Sequence, residues 1–289
     1  LMLRNVRCKD SKFKELQIIK IWKKKNLFPL ILCATIISCN SSNKTKSDEI
    51  DYDKSDTTVV MYYDQGYSDA TGGIIVAKRF EDILALSQEG DMKAQFSLGR
   101  CYLYGEHVKK SYENAFKWFK LSAEQGFAMS QQELGLLYYE GNGVKQSFAE
   151  AVKWYRKSAE QGYSYGEHCL GVCYERGEGV QQSYEDAVQW YMKAANHGLD
   201  VSKINLALLL EAGNGTPQNL ETAYNIFSEL AQKGNSRAQL FLADYYRQGI
   251  FVKQDMSEAI KWYIEAANQG EEEAVAWLQE LGVVKSSEN

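Results

Sequence analysis

One twelve-residue phrase occurs five times in this chain, always 36 residues apart: AFKWFKLSAEQG at 115–126, AVKWYRKSAEQG at 151–162, AVQWYMKAANHG at 187–198, AYNIFSELAQKG at 223–234 and AIKWYIEAANQG at 259–270. A chain that repeats in register is a stack of like units, each with an apolar face that only its neighbours can cover. Places are counted here from the glycine that closes each phrase and from Gly90, one period before the first. The fourth place is small (Ala94, Ser130, Gly166, Ser202, Ala238, Ala274) and the eighth is leucine (Leu98, Leu134, Leu170, Leu206, Leu242, Leu278). The twelfth is Tyr102, Tyr138, Tyr174, Leu210 and Tyr246. Such spacing keeps to one side of a helix, so each unit opens on an amphipathic helix A. Gly105, Gly141, Gly177, Gly213 and Gly249 end it, where glycine takes the left-handed conformation that follows a helix.

A second helix, B, starts at Ser111, Ser147, Ser183, Asn219 and Asp255, all good N-caps. Glu150 and Glu258 complete capping-box patterns three residues on, and Asp186 is a weaker version. Helix B carries Ala115, Ala151, Ala187, Ala223 and Ala259 at its crossing point. Aromatic pairs follow: Trp118-Phe119, Trp154-Tyr155, Trp190-Tyr191 and Trp262-Tyr263, with Ile226-Phe227 in the fourth unit. Ala123, Ala159, Ala195, Ala231 and Ala267 leave room for the next helix.

The pattern A-x-x-x-L-G-x-x-Y-x-x-G-x-G-V, then A-x-x-W-Y-x-x-A-A-x-x-G, is carried by Leu134-Gly135, Tyr138, Gly141-Asn142-Gly143-Val144, Ala151, Trp154-Tyr155 and Ala159. It resembles the Sel1-like repeat, a cousin of the tetratricopeptide repeat. The resemblance spans five units (91–126, 127–162, 163–198, 199–234, 235–270). It implies an all-α fold, a right-handed α/α solenoid of helical hairpins, and a non-catalytic scaffold that binds a protein or peptide. The departures are Gly105-Glu106-His107-Val108, Gly249-Ile250-Phe251-Val252 and the missing Trp of the fourth unit. Residues 76–90 read as a degraded helix B that caps the stack, with Phe80, Ile83 and Leu84 toward the first unit. Residues 271–289 read as a C-terminal capping helix and tail.

Charge divides the chain unevenly. Residues 1–38 hold nine Lys/Arg against Asp10 and Glu15, and the rest holds 24 basic and 36 acidic side chains. A body that acidic repels phosphate backbones, so nucleic acid is not an expected partner. Lys23-Lys24-Lys25 precede a twelve-residue apolar run at 27–38, short for a membrane span but the length of a signal-peptide core. Ile36-Ile37-Ser38-Cys39 resembles the bacterial lipobox, which implies cleavage before Cys39 and its acylation. Residues 1–38 are therefore expected to be a signal peptide, and 39–75 a polar tether and irregular segment. The protein is expected to be a lipoprotein of the bacterial cell envelope, at the outer membrane or periplasmic face. Several acyl chains on one residue anchor stably where a single chain does not.

No catalytic constellation emerges. Among His107, His168 and His197 no pair has metal-ligand spacing. Cys169 and Cys173 lie one helical turn apart beside His168 and Glu167, but Cys173 takes the eleventh place, filled elsewhere by Cys101, Leu137 and Leu209. Packing thiols are the expectation, with a labile disulfide or metal as the alternative. Some Sel1-repeat proteins pin each hairpin with a disulfide, a scheme that needs the helix B cysteine this chain lacks. Others of that group are described as penicillin-binding or β-lactamase-like, which makes an envelope hydrolase the alternative function. Ser-x-x-Lys occurs only at 11–14 and 41–44, with no Lys-Thr-Gly. The Gly-x-Gly-Val loops follow helices rather than strands and lack Lys-Ser/Thr, so they are not phosphate cradles. No cofactor or metal is expected.

In tetratricopeptide-like solenoids helix A lines the concave groove. The face opposite the core stripe falls at places 3, 6, 10, 13 and 14 by the 100° turn per residue. Those places hold Phe96, Leu103, Met129, Gln132, Leu136, Val172, Val201, Ile204, Leu208 and Leu240 among others. The polar and aromatic ones, Lys93, Arg100, Tyr104, Tyr139, Glu140, Tyr165, His168, Glu175, Arg176, Glu211, Asp244 and Arg247, are the candidate partner-binding residues. Tyr and Arg are typical interface anchors. The apolar ones are also suited to packing between adjacent helices.

Overall fold

The computed structural model describes residues 59–63 and 75–284. Cys39, the apolar run before it and both Ser-x-x-Lys matches lie outside the described residues. Two compact units divide the chain at 49/50, and the described residues all belong to the second. It opens on a two-stranded antiparallel sheet, β1 (Val59–Tyr63) with β2 (Ile75–Arg79), in which Val60 pairs with Lys78. Helix α1 (Phe80–Gln88) follows. Five hairpins come next: α2 (Met92–Tyr104) with α3 (Tyr112–Glu124), and α4 (Ala128–Glu140) with α5 (Phe148–Glu160). The others are α6 (Ser164–Arg176) with α7 (Tyr184–Asn196), α8 (Asp200–Ala212) with α9 (Leu220–Gln232), and α10 (Ser236–Gln248) with α11 (Met256–Asn268). Helix α12 (Glu272–Glu280) has the place of a sixth helix A and is the last helix among the described residues. The fold is an all-α solenoid of successive hairpins.

The sheet corrects the sequence reading at the N-terminal end. β1 lies in the segment read as irregular, and residues 76–79 are strand rather than the start of the capping helix. The runs VVMYY and IVA are rich in β-branched and aromatic residues, which favour a pleated surface over a helix. Val60, Phe80 and Ile83 are buried together with Phe96 and Leu98 of the first hairpin, so strand and α1 share the first core.

Each hairpin is closed by polar groups that recur at the 36-residue spacing. Helix A ends on glycine with φ between 70° and 78°, its N–H bonded to the carbonyl four residues back. The N-cap side chain of every helix B accepts from a backbone N–H in its first turn. The reach-back half of the capping box is not formed: Glu150 pairs with Lys153 and Glu258 with Lys261. The N-cap N–H instead donates to the carbonyl at the twelfth place of helix A, at 2.9–3.0 Å in all five hairpins (Ser147 to Tyr138, for example). A glutamine at place 20 adds a second strap. Gln146, Gln182, Gln218 and Gln254 each donate to the carbonyl at place 13, all at 2.8 Å.

The core is built from the helix B ring that ends each aromatic pair. Phe119, Tyr155, Tyr191, Phe227 and Tyr263 are buried, whereas their tryptophan partners are half-buried. Each ring faces place 9 of helix A, which is Gly99, Gly135 or Gly171 in the first three hairpins and Ala207 or Ala243 in the others. A methyl group on Gly135 would stand 2.7 Å from the Tyr155 ring, so there the two helices touch without a side chain between them. Of the alanines expected to admit the next helix, Ala123, Ala159 and Ala231 are buried, and the place before them is buried in every hairpin. Ser122, Ser158, Ala194 and Ala266 are fully buried, while Ala195 and Ala267 are only partly so. Ser122 and Ser158 donate to the carbonyls of Met92 and Ala128 at 2.6 and 2.7 Å, which satisfies hydroxyls that would otherwise be costly in the core.

Neighbouring hairpins meet at the seventeenth place. Gly143, Gly179 and Gly215 have φ of 70–76°, and a Cβ on any of them would lie within 2.4 Å of a backbone carbonyl at the start of the preceding helix B. In the first and fifth hairpins the place holds His107 and Phe251, both at φ 63°. The His107 ring stacks on Phe80 at 5.3 Å between centroids, and the Phe251 ring packs tilted at 45° against Tyr224 at 5.5 Å. Gly179→Ala is expected to destabilise the protein by about 2 kcal/mol or more, from the left-handed backbone and the carbonyl clash together. Chemical denaturation followed by circular dichroism checks it. Gln182→Ala is expected to cost about 1 kcal/mol in the same measurement.

Candidate helix A groove

Helix A is more enclosed than the periodicity argument implies. Place 6, expected in the groove, is buried in every hairpin: Phe96, Gln132, His168, Ile204 and Leu240. The cause is the stack itself, because each helix A also packs on its neighbouring helices A. Phe96 meets the ring of Phe127 at the head of α4, and His168 Nδ1 lies 2.8 Å from Ser202 Oγ on α8. His168 is therefore a core residue and not an anchor. Burial, aided by Arg176, lowers its pKa to about 4, so the ring is neutral. The accessible strip runs along places 3, 10, 13 and 14, interrupted at the buried Val172, while place 7 is buried as Ser97, Cys169 and Phe241 and half-buried as Glu133 and Asn205.

The other eleven candidates lie on or beside that strip. Tyr104, Glu140 and Tyr165 are exposed, and Lys93, Arg100, Tyr139, Glu175, Arg176, Glu211, Asp244 and Arg247 are half-buried. Most of the half-buried ones tie helices together. Tyr139 donates to Glu178 of the next hairpin and accepts from Arg176 Nη1 at 3.0 Å. Glu175 accepts from the buried Tyr191 hydroxyl, and Glu211 from that of Tyr245 at 3.3 Å. Asp244 takes Tyr263 at 2.7 Å and Arg247 Nη2 at 2.9 Å, and the Arg247 guanidinium lies 3.9 Å from the centre of the Trp277 ring. Arg100 lies over Tyr104, 5.5 Å from the ring centre. The strip is a set of aromatic and charged groups fixed in part by helix B tyrosines, Tyr191 and Tyr263, and in part by neighbouring helices A through Tyr139 and Tyr245.

Two participants were not singled out from the sequence. Glu178 sits in a loop that the helix periodicity does not index. Glu133 occupies place 7, which the face at places 3, 6, 10, 13 and 14 passes over and which is buried in the first, third and fifth hairpins. Burial pushes its carboxyl up to about 7, against the pull of Arg100 and with a push from Glu140.

Cys101, Cys169 and Cys173 are buried free thiols, and burial raises all three, Cys101 and Cys173 to about 12. Thiols so held are poor nucleophiles at neutral pH. Among the described residues no group of three His, Cys, Asp or Glu is placed to hold a metal, and no helix is long and apolar enough to cross a membrane.

The two shifted groups act on stability with opposite signs. His168 is held below its ordinary 6.5, so the unfolded chain takes up the proton first and stability is lost as pH falls from about 6.5 toward about 4. Glu133 is held above its ordinary 4.5, so stability falls as pH rises from about 4.5 to about 7. Thermal melts across pH 4–8 are expected to show a flatter acid limb for His168→Gln. For Glu133→Gln the decline between pH 5 and 7.5 is expected to disappear.

The Sel1 repeat profile matches residues 93–127, 128–163, 165–199, 201–235 and 236–271. Among solved structures, a protective antigen with an SLR fold from uropathogenic Escherichia coli is 35% identical with a TM-score of 0.63. That alignment covers 72% of this chain and 45% of the antigen, so the chain spans less than half of the antigen's length. A Sel1 repeat protein from Oxalobacter formigenes is 33% identical over 73% of this chain and 91% of that one, with a TM-score of 0.64. Comparison with curated proteins gave no match. With five consecutive profile matches falling on five like hairpins, the chain belongs to the Sel1 repeat family.

Proposed function

We propose that this chain is a non-catalytic adaptor of a bacterial cell envelope, held at the membrane by acylated Cys39, that receives a protein or peptide along the helix A strip. Sel1-repeat scaffolds generally mediate protein–protein interaction. The observation that carries the groove reading is the double character of the strip. Its charged groups are locked by cross-helix hydrogen bonds, as in Arg176–Tyr139–Glu178 and Arg247–Asp244–Tyr263, while Tyr104, Glu140 and Tyr165 face solvent. A surface ordered in advance lowers the entropy cost of binding, and exposed tyrosines supply contact area at little rotamer cost. The anchor rests on the basic stretch, the apolar run and Cys39 in the sequence.

Affinity capture from envelope extract tests the groove. The full chain is expected to retain a partner that Tyr104→Ala, Glu140→Lys, Tyr165→Ala in combination loses, and retention by both would move recognition to the helix B or loop face. Cell fractionation tests the anchor separately. Cys39→Ala is expected to leave the membrane fraction, and unchanged sedimentation with membranes would overturn the lipoprotein reading.

A further inference from the structure

Gly141-Asn142-Gly143 and Gly213-Asn214-Gly215 are identical tripeptides at the same places of the second and fourth hairpins. Asparagine is a thermally labile side chain, and a following glycine opens one route for its loss. The glycine backbone nitrogen, after giving its proton to solvent, attacks the asparagine Cγ, ammonia leaves, and a succinimide ring closes. Water then opens the ring at either carbonyl and leaves aspartate or isoaspartate, so the balance is one water consumed and one ammonia released. Glycine permits the attack because it has no Cβ to obstruct it. Both asparagines are half-buried, within reach of water. Neither Gly143 nor Gly215 donates its N–H to an acceptor among the described residues, so both nitrogens are available. The two copies differ at place 14. In the second hairpin it is Glu140, whose carboxylate accepts from Asn142 Nδ2 at 2.6 Å. In the fourth it is Ala212, and the Asn214 side-chain amide has no hydrogen-bond partner among the described residues.

We propose that Asn214 is a site of spontaneous succinimide chemistry in the folded protein, and that Asn142, its twin in sequence, is protected by Glu140. A carboxylate that accepts from the amide fixes its rotamer and makes Cγ less electrophilic. Its charge also disfavours the anion that Gly143 becomes on losing its proton. Asn214 has none of these restraints. The product bears on the fold as well as on charge. Isoaspartate routes the chain through the former side-chain carbon and adds one methylene before Gly215. That glycine sits where a Cβ would stand 2.3 Å from the Tyr184 carbonyl carbon, at the start of α7. The added length unseats it and loosens the junction between the third and fourth hairpins.

The test is incubation of the full-length chain in warm, mildly alkaline buffer with detergent. Peptides are mapped by mass at intervals, with fragmentation that separates aspartate from isoaspartate. Asn214 is expected to convert about fivefold faster than Asn142. Glu140→Ala, which writes the fourth hairpin's residue into the second, brings Asn142 up to the Asn214 rate. Ala212→Glu, the reverse exchange, slows Asn214 to the rate of Asn142. Both positions are exposed, and melting curves verify that the variants are folded. The fraction carrying isoaspartate at 214 melts below the unmodified chain, whereas Asn214→Asp, which keeps the backbone path, melts with it. Equal rates at the two asparagines, faster conversion of Asn142, or rates indifferent to both exchanges overturn the assignment. So does an Asn214 that stays intact in the folded chain while it converts in urea. An isoaspartate fraction that melts with the unmodified chain overturns the structural consequence.

Discussion

The contact on which the rest of the fold depends is a ring against a bare helix. In the first three hairpins a buried Phe or Tyr of helix B lies on a glycine of helix A, and at Gly135 even one methyl group would intrude. That approach sets the distance between the two helices, and the distance sets what can lie behind them. Serine hydroxyls then reach backbone carbonyls across the pair, and paired glutamines bridge its open end, as Gln161 does to Gln131 at 2.7 Å. The third hairpin replaces the glutamine pair by Glu167 and His197 at 2.8 Å, and the fourth by Lys203 and Lys233 sharing Glu229. The geometry is kept while the chemistry changes. The spacing, rather than any one polar pair, is what the hairpin requires.

The helix A strip inherits its order from the same ring. Tyr191 and Tyr263 are buried by their bodies and polar at their tips, and the tips emerge under the strip to hold Glu175, and Asp244 with Arg247. Phe119 and Phe227 offer no such tip, and in the fourth hairpin Glu211 is held from the next unit by Tyr245. At Tyr191 and Tyr263 the core residue itself therefore fixes part of the strip from behind. Core identity and surface behaviour are coupled through a single hydroxyl.

Much of this was legible before any coordinates. Glycines at the ends of helix A, N-caps at the start of helix B and leucine at every eighth place are local rules, and local rules repeated five times leave little room for error. What escaped is non-local. Place 6 looks solvent-facing on an isolated helix and is buried only because another helix A lies beside it, which is why His168 was misread. The Glu150 capping box was half right, since the N-cap N–H finds a carbonyl of helix A nearer than the Glu side chain. The glutamine at place 20 had no assigned role because its acceptor is a backbone atom. The strands at 59–63 and 75–79 belong to no repeat and so had no second copy to be read against.

Every bond that closes a hairpin has both ends inside one 36-residue window: nine residues apart for the N-cap strap, seven for the glutamine strap and thirty for the amide bridge. The faces that meet between hairpins are nearly the same at each junction. A unit is thus a block that recombination between two copies of the repeated phrase can delete or duplicate whole, with the flanking faces still matched. Such an event would shorten or lengthen the strip by one step and carry that unit's peculiar residues with it. The Glu133 carboxylate would come or go with the second hairpin, the Glu167–His197 pair with the third. In heritable terms the side chains of the helix A strip are written unit by unit, and the strip's length can change without the fold having to be solved again.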